Sequence, residues 1–105
     1  MAFFETLAMI ALITSVVANV AVTVYIAYLT FKDVVSWFRN RQSKINKDSL
    51  PFTYQEKLRN GQFKTIQGIF NTRSNEVDEA RSINSEAIDS AIRDAHRYDP
   101  LIVYK

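Results

Sequence analysis

The chain offers few side chains for catalysis or metal binding. Its one histidine, His96, lies between Asp94 and Asp99 in the sequence. A metal site would need further ligands, and a histidine in the last turn of a helix interacts favourably with the helix dipole. We therefore interpret all three as solvated surface residues. There is no cysteine, which excludes disulfide bonds, thiolate ligands and cysteine nucleophiles.

The remaining candidates for a catalytic or nucleotide-binding site are equally sparse. Glu86 and Asp89 are one helical turn apart, but arginines lie within reach of each along a predicted helix. The only glycines are Gly61 and Gly68, so no glycine-rich phosphate loop exists. The net charge of +2 is a weak indication of nucleic acid binding. We expect no enzymatic activity, no metal or other cofactor, no small-molecule substrate and no nucleic acid partner.

The distribution of charge along the 105 residues indicates a membrane protein. Thr6 to Phe31 contains no charged residue, whereas nearly every charge follows from Lys32 onward. This uncharged run of 26 residues would span about 39 Å as a helix, more than the ~30 Å hydrocarbon core of a bilayer. It contains no proline or glycine. We predict one transmembrane helix over residues 6–31, preceded by a short flank of residues 1–5.

Two alternatives to a retained membrane helix are a cleaved signal peptide and a buried helix. A signal peptide needs a basic start and a shorter apolar core, but this chain begins with an acidic flank containing Glu5. A buried helix would need a large surrounding core, and the chain is too small to supply one.

Residues that suit the membrane interface flank the predicted span on its C-terminal side. Phe31, Val34, Val35 and Phe38 continue a helical periodicity, so the helix is predicted to extend to about Arg41. The residues expected to meet lipid headgroups are Tyr25, Tyr28, Lys32, Trp37, Arg39, Arg41 and Lys44. Because cationic flanks stay on the inner side, we predict an integral, single-pass protein with its N-terminus outside and its C-terminal region cytoplasmic, or on the equivalent inner side. A virion internal membrane is an alternative location, for which the rule predicts only the orientation at insertion.

Small and polar residues recur at every fourth position inside the predicted span. This ridge consists of Ala11, Ser15, Asn19, Thr23 and Ala27. Small residues allow two membrane helices to approach closely, and an amide such as that of Asn19 can hydrogen-bond across the contact. We interpret the ridge as a helix-packing surface. The alternative is that Ser15 and Thr23 hydrogen-bond to carbonyls of their own helix and that Asn19 is tolerated in the span without a partner helix.

Residues 42–73 are predicted to form a linker with short amphipathic helices. Thr53 and Glu56 have the spacing of a capping box, and Asn60-Gly61 is predicted to end the helix that follows. Residues 74–97 show helical periodicity. The apolar stripe of this predicted helix consists of Val77, Ala80, Ile83, Ala87, Ile88, Ala91, Ile92 and Ala95. Because an isolated helix of this length is marginal in water, we expect the stripe to bind a partner.

The last segment, residues 98–105, is predicted to be an extended tail. Pro100 stops the preceding helix. The four residues Leu101, Ile102, Val103 and Tyr104 are apolar and extended in character. They could add a strand to another protein's sheet or fill a groove. Packing of a frayed terminus on its own helix is the alternative.

Together these features predict an all-α fold with a single N-terminal transmembrane helix. In outline, the layout resembles supernumerary single-span subunits of large membrane complexes and small membrane proteins of lipid-containing virions. We expect a non-catalytic structural or assembly subunit whose partners are membrane lipid, other subunits or a second copy of itself. A membrane-permeabilising, lysis-type protein or a transport-associated protein is the alternative function.

Overall fold

A computed structural model of the protein describes residues 22–74 and 76–104. The strands are β1 (Thr23–Tyr25), β2 (Tyr28–Leu29), β3 (Ser49–Lys57), β4 (Phe63–Asn71), β5 (Glu76–Ser85), β6 (Ala87–Ile88) and β7 (Leu101–Val103). The helices are α1 (Phe31–Arg39) and α2 (Ser90–Ala95), with a 3-10 turn at Gln42–Lys44. The described chain is mostly β-sheet, so the predicted all-α fold class is wrong.

Five strands form one sheet in the order β1-β5-β4-β3-β7. Strands β3, β4 and β5 make an antiparallel meander, β7 is antiparallel to β3, and β1 is parallel to β5. The short pair β2–β6 is also parallel and keeps the same register: Thr23 faces Ser82 and Tyr28 faces Ala87. The second pair therefore continues the β1–β5 ladder beyond a short break.

Residues 22–31, predicted as the end of a transmembrane helix, instead form β1, β2 and the connection to α1. The stretch Val22 to Ile26 consists of β-branched residues and the aromatic Tyr25, and such residues favour a pleated strand. An apolar run cannot by itself distinguish a buried strand from a helix. Here β5 supplies the neighbouring strand, and the backbone of Ile26 donates to Asn84 O at 3.0 Å.

The predicted integral-membrane topology is also wrong. No helix within residues 22–74 and 76–104 combines the length and apolar character that a bilayer crossing requires. The C-terminal third of the proposed span is β-structure, so the predicted single-pass helix over residues 6–31 and the orientation derived from it are wrong. Residues 6–21, including Ala11, Ser15 and Asn19, lie outside the described residues.

Helix α1 begins independently of the strands before it. Thr30 is its N-cap: its Oγ1 accepts a hydrogen bond from Asp33 N at 3.1 Å, while Asp33 Oδ2 accepts one from Thr30 N at 3.2 Å. This reciprocal capping box satisfies two backbone donors and fixes an extended residue directly before the helix. The prediction that a membrane helix continues to Arg41 is therefore wrong. The chain instead forms a separate short helix, which buries Val34 and Trp37.

Strands β3 and β4 are joined by a tight hairpin, where the sequence predicted short helices. Gly61 has a positive φ of 88°, its backbone N donates to Leu58 O at 3.0 Å, and Leu58 N donates to Gln62 O at 2.7 Å. An Asn-Gly pair between apolar runs favours such a hairpin. We interpreted the same pair as a helix end, and Thr53, interpreted as a helix cap, is a fully buried residue in the middle of β3.

The predicted helix over residues 74–97 is also wrong. It divides into β5, β6 and the short helix α2. A register shift lies in the β4–β5 pairing, where Ile69 faces Glu79 but Phe70 faces Val77. The extra residue, Asp78, shifts the alternation of side chains by one. That shift brings apolar residues into a spacing that imitates a helical period.

The sheet has two faces with different surroundings. Both described helices lie on one face, which we call the helix face. Val34, Ile83 and Ile92 meet there in one core cluster, joined by Leu29 and Ile88. The opposite face, which we call the open face, carries a second apolar cluster on the sheet strands, of buried Phe52, Ile66, Phe70 and Leu101 with half-buried Leu50, Tyr54, Val77, Ala80 and Val103. Strand alternation separates the two clusters.

Candidate protein-binding groove

An apolar groove of about 570 Å³ runs between α1 and the C-terminal residues of the chain. Its lining consists of Phe31, Val34, Val35, Phe38, Arg39, Gln42, Ile45 and Tyr104. The helical members follow the spacing i, i+3, i+4, i+7 and i+8, which places them on one side of α1. The groove is therefore a flank of α1 that the sheet leaves uncovered among the described residues.

Tyr104 forms the wall of the groove opposite α1. Its ring centroid lies 6.2 Å from that of Phe31 and 5.7 Å from that of Phe38, both with tilted planes. Tilted aromatic pairs at this separation are favourable. The phenol OH lies 2.6 Å from Thr53 Oγ1, so the ring is tied at its polar end and packed along its apolar body.

A hydrogen-bond chain extends from Tyr104 through Thr53 to His96. Thr53 Oγ1 lies 2.7 Å from His96 Nε2, and His96 Nδ1 lies 3.0 Å from Asp99 O. A carbonyl oxygen only accepts, so Nδ1 carries the proton and neutral Nε2 accepts from the Thr53 hydroxyl. That assignment leaves Tyr104 OH to donate to Thr53 Oγ1. The chain joins β3, the end of α2 and the C-terminal strand.

Burial changes the pKa values at both ends of this chain. Desolvation lowers the pKa of His96 below its ordinary 6.5, partly offset by hydrogen bonds to backbone carbonyls. Desolvation also raises the pKa of Tyr104 above its ordinary 10.0, against the opposing effect of Thr53. Both side chains are thus held neutral near neutral pH, which suits a structural connection that needs a fixed tautomer.

Strand β7, beside the groove, is an edge of the sheet. Its inner side is paired to β3, with Gln55 N donating to Pro100 O and Tyr104 N donating to Pro51 O, both at 2.8 Å. In an antiparallel ladder such bonds recur at alternate residues. The backbone N–H and C=O groups of Leu101 and Val103 therefore point away from β3, and no described strand pairs with them.

Arg39 provides a positive charge at the groove. It forms no ion pair with any residue of the described part. The neighbouring cations differ: Arg41 Nε lies 2.6 Å and Lys44 Nζ 2.7 Å from carboxylate oxygens of Glu79. These two contacts lower the pKa of Glu79, Lys44 having the larger effect. Arg39 is thus the groove cation available to an outside carboxylate.

Most residues predicted to meet lipid headgroups lie instead in contacts within the protein. Trp37 is buried, with the Arg41 guanidinium carbon 3.9 Å from the ring centroid of Trp37. Tyr25 is exposed and donates to Glu86 at 2.6 Å. Tyr28 is exposed on β2. Of the predicted headgroup set, Arg39 alone lines the groove.

The other predicted sets are dispersed. Of the ridge, Thr23 lies on β1 and Ala27 lies in the break between β1 and β2, where its O accepts from Glu86 N and Ala87 N at 3.1 Å each. The predicted partner-binding stripe is divided between open-face residues (Val77 and Ala80), helix-face core residues (Ile83, Ile88 and Ile92), and Ala87, Ala91 and Ala95 on β6 and α2. It forms no single surface.

The predicted tail residues do lie together, because Leu101, Ile102 and Val103 form β7 and Tyr104 follows it. The sequence did not predict that the strand would pair within its own chain, nor that Tyr104 and Arg39 would share a groove. The periodicity of Phe31, Val35 and Phe38 was a usable signal for the groove. The Thr53–His96 contact joins residues 43 positions apart and had no sequence signal.

Two further observations concern possible chemistry. Within residues 22–74 and 76–104, no group of three or more His, Cys, Asp or Glu side chains is placed to hold a metal ion. Ser85 Oγ is buried without a hydrogen-bond partner in the part of the chain that is described. It lies at the end of β5, where the parallel ladder is interrupted.

Comparison with known proteins identifies no relative. No protein-family model, curated protein or solved structure matches this chain.

Proposed function

We propose that this protein is a non-catalytic assembly subunit that binds an extended segment of a partner protein along β7. The observation that carries the proposal is the outward direction of the Leu101 and Val103 backbone groups beside an apolar groove. Extended segments bind sheet edges through main-chain hydrogen bonds, while pockets for alternate side chains give specificity.

The groove is positioned to receive those alternate side chains. Ile102 and Tyr104 lie on the helix face, because Ile102 pairs with Thr53 in β3. A segment added beside β7 would place every second side chain on that same face, next to Val35 and Phe38 of α1. We expect these side chains to be apolar, because the groove lining is mainly apolar.

Charge defines the remaining chemistry of the partner. Arg39 lines the groove without an ion pair to a described residue, and residues 32–47 hold five cations against Asp33 alone. A partner segment that carries Asp or Glu near its apolar residues would complement this charge. Such a charge at the rim affects association and selectivity more than total affinity.

The test starts from a library of random twelve-residue peptides displayed on phage and selected on the immobilised full chain. We expect the enriched peptides to have apolar residues at alternate positions and at least one carboxylate. The binding of one enriched peptide is then measured by fluorescence anisotropy. The backbone amides of this peptide are then N-methylated at alternate residues, in one version at the odd positions and in a second version at the even positions. Only one of the two versions should lose binding, because only one edge of the peptide supplies the donors to β7.

Two protein variants test the groove itself. Val35→Asp, which places a charge on the half-buried flank of α1, should weaken binding more than tenfold, since an unpaired charge is costly to bury. Arg39→Gln should weaken it about two- to fivefold, as expected for a rim ion pair of ~0.5–1 kcal/mol. Arg59→Gln, an exposed cation in the β3–β4 turn, is the matched control. If neither N-methylated version of the peptide binds more weakly, strand addition is rejected.

A further inference from the structure

A second cavity, of about 440 Å³, lies between the hairpin end of β3 and the end of α2. We call it the cationic cleft, because three of its lining residues are cations and one is a carboxylate. Its lining consists of Gln55, Glu56, Lys57, Phe63, Ile88, Arg93, His96 and Arg97. A cleft of a few hundred Å³ with apolar residues and a few convergent polar groups is typical of a small-molecule site.

Two of the cations in the cleft, Lys57 and Arg93, have no carboxylate partner among the described residues. Both side chains are exposed. Arg93 donates a long hydrogen bond to Ile88 O at 3.5 Å, and Lys57 Nζ lies 6.0 Å from the ring centroid of Phe63. Neither contact cancels a positive charge. Both cations are therefore available to an anion that enters the cleft.

The carboxylates of Glu56 and Asp94 compensate little of the charge in the cleft. Arg97 Nη2 lies 2.9 Å from Asp94 Oδ1, but both side chains are more than half exposed, and such surface pairs contribute little. Strand alternation directs the side chain of Glu56 away from that of Lys57, toward the open face, where Glu56 faces Lys64 of β4. The cleft therefore keeps a positive charge that the described residues do not neutralise.

We infer that the cationic cleft binds a phosphate monoester of about the size of a mononucleotide. A phosphate monoester carries a charge of about −1.5 to −2 at neutral pH and has three acceptor oxygens, and guanidinium groups bind such oxygens in pairs. A carboxylate carries a single charge and would leave more of the cations unpaired. Phe63 and Ile88 supply apolar surface beside the cations, and the ring of Phe63 offers a base a surface for stacking.

His96, which also lines the cleft, fits binding rather than catalysis. Its Nε2 lies 2.7 Å from Thr53 Oγ1 and its Nδ1 lies 3.0 Å from Asp99 O, so both ring nitrogens are occupied. Thr53 connects His96 to Tyr104 of the groove, and the cleft is a separate site at the other end of that hydrogen-bond chain. Because the chain has a single histidine, the His96 ring is a specific spectroscopic reporter of a phosphate bound beside it.

Nuclear magnetic resonance of the full chain tests the proposal with adenosine monophosphate as the probe. The ¹H–¹³C signal of the His96 ring is followed during a titration at about pH 7.5, where the phosphate is mainly a dianion. We expect a saturable shift that gives a Kd. Lys57→Gln combined with Arg93→Gln should raise this Kd about tenfold or more, and Arg97→Gln alone should raise it about two- to fivefold. Arg73→Gln, which removes an exposed cation in the β4–β5 turn at the opposite end of the sheet, is the control and should leave the Kd unchanged.

A second comparison separates the flat ring of the ligand from its phosphate. Glycerol 3-phosphate carries the same charge without a ring, and we expect it to bind about fivefold or more weakly than adenosine monophosphate. Phe63→Leu keeps an apolar side chain but removes the stacking surface, so it should reduce this difference, an effect that a purely structural role of Phe63 would not produce. The absence of a saturable shift, equal binding of the two phosphates, an equal loss of affinity in Arg73→Gln, or tighter binding of a polyglutamate peptide would overturn the proposal.

Discussion

Replacing Thr53 with valine tests the hydrogen-bond chain that fixes Tyr104 in the groove. Thr53 is 1 % exposed, and its Oγ1 contacts His96 Nε2 at 2.7 Å and Tyr104 OH at 2.6 Å. Valine has nearly the same shape and a strong strand propensity, so the substitution leaves packing almost unchanged. It removes both hydrogen bonds and leaves the half-buried Nε2 atom without its donor.

The expected magnitude follows from those two contacts. Each hydrogen bond contributes about 1 kcal/mol net, and an acceptor left unpaired costs about 1 kcal/mol more when water reaches it poorly. We therefore expect the free energy of unfolding to fall by about 2–3 kcal/mol. For a domain of this size, that corresponds to a decrease in Tm of roughly 10–20 °C. Thermal unfolding followed by far-UV circular dichroism measures the decrease directly.

Thr65→Val is the matched control for this prediction. Thr65 is also fully buried, in the adjacent strand, but its Oγ1 accepts a single hydrogen bond, from Gln55 Nε2 at 3.1 Å. Its loss should cost only about 1 kcal/mol. If Thr53→Val lowers Tm no more than Thr65→Val, the His96–Thr53–Tyr104 chain does not stabilise the fold as argued.

Three further predictions concern the described core and the single histidine. Because burial holds the pKa of His96 below 6.5, the unfolded chain binds the proton first. Stability should therefore be constant above about pH 6.5 and fall as pH decreases from there through the lowered pKa, and His96→Gln should flatten the Tm profile below about pH 6.5. Gly68→Ala should destabilise by about 1–3 kcal/mol in urea titrations, because its Cβ would lie 2.8 Å from Glu79 O, which is backbone; a neutral effect would contradict this. Ser85→Ala should raise the unfolding free energy by about 1 kcal/mol, because it removes a buried hydroxyl that has no hydrogen-bond partner among the described residues, whereas destabilisation would indicate an unrecognised acceptor.

Some local features could be predicted because neighbouring residues alone decide them. The periodicity of Phe31, Val34, Val35 and Phe38 coincides with α1, although its predicted origin in a membrane helix was wrong. Leu101 to Val103 is extended, as its β-branched character indicated. The Asn60-Gly61 pair marks a chain reversal, but the decision between helix end and hairpin depends on the strands that flank it.

The strands themselves could not be recognised with the same success. Thr65 to Phe70 is buried at every position because β4 is central in the sheet, so it lacks the alternation that identifies a half-exposed strand. In β5, Glu79 and Arg81 occupy the helix face, where Glu79 binds Arg41 and Arg81 Nε donates to Gln67 at 2.9 Å. Charges at inward positions and the extra residue Asp78 conceal the strand period.

The sequence alone determined the local properties of this protein: where charge is segregated, which short segments favour helix or extended backbone, and where the chain can turn. Only the tertiary structure decided that an apolar run such as Val22 to Leu29 becomes strands, because the residues that it pairs with lie 59 positions away on β5 and β6. The groove has the same origin, since α1 and Tyr104 meet only after β7 has paired with β3. Local residues set propensities, whereas long-range pairing selects among conformations that those propensities leave close in free energy.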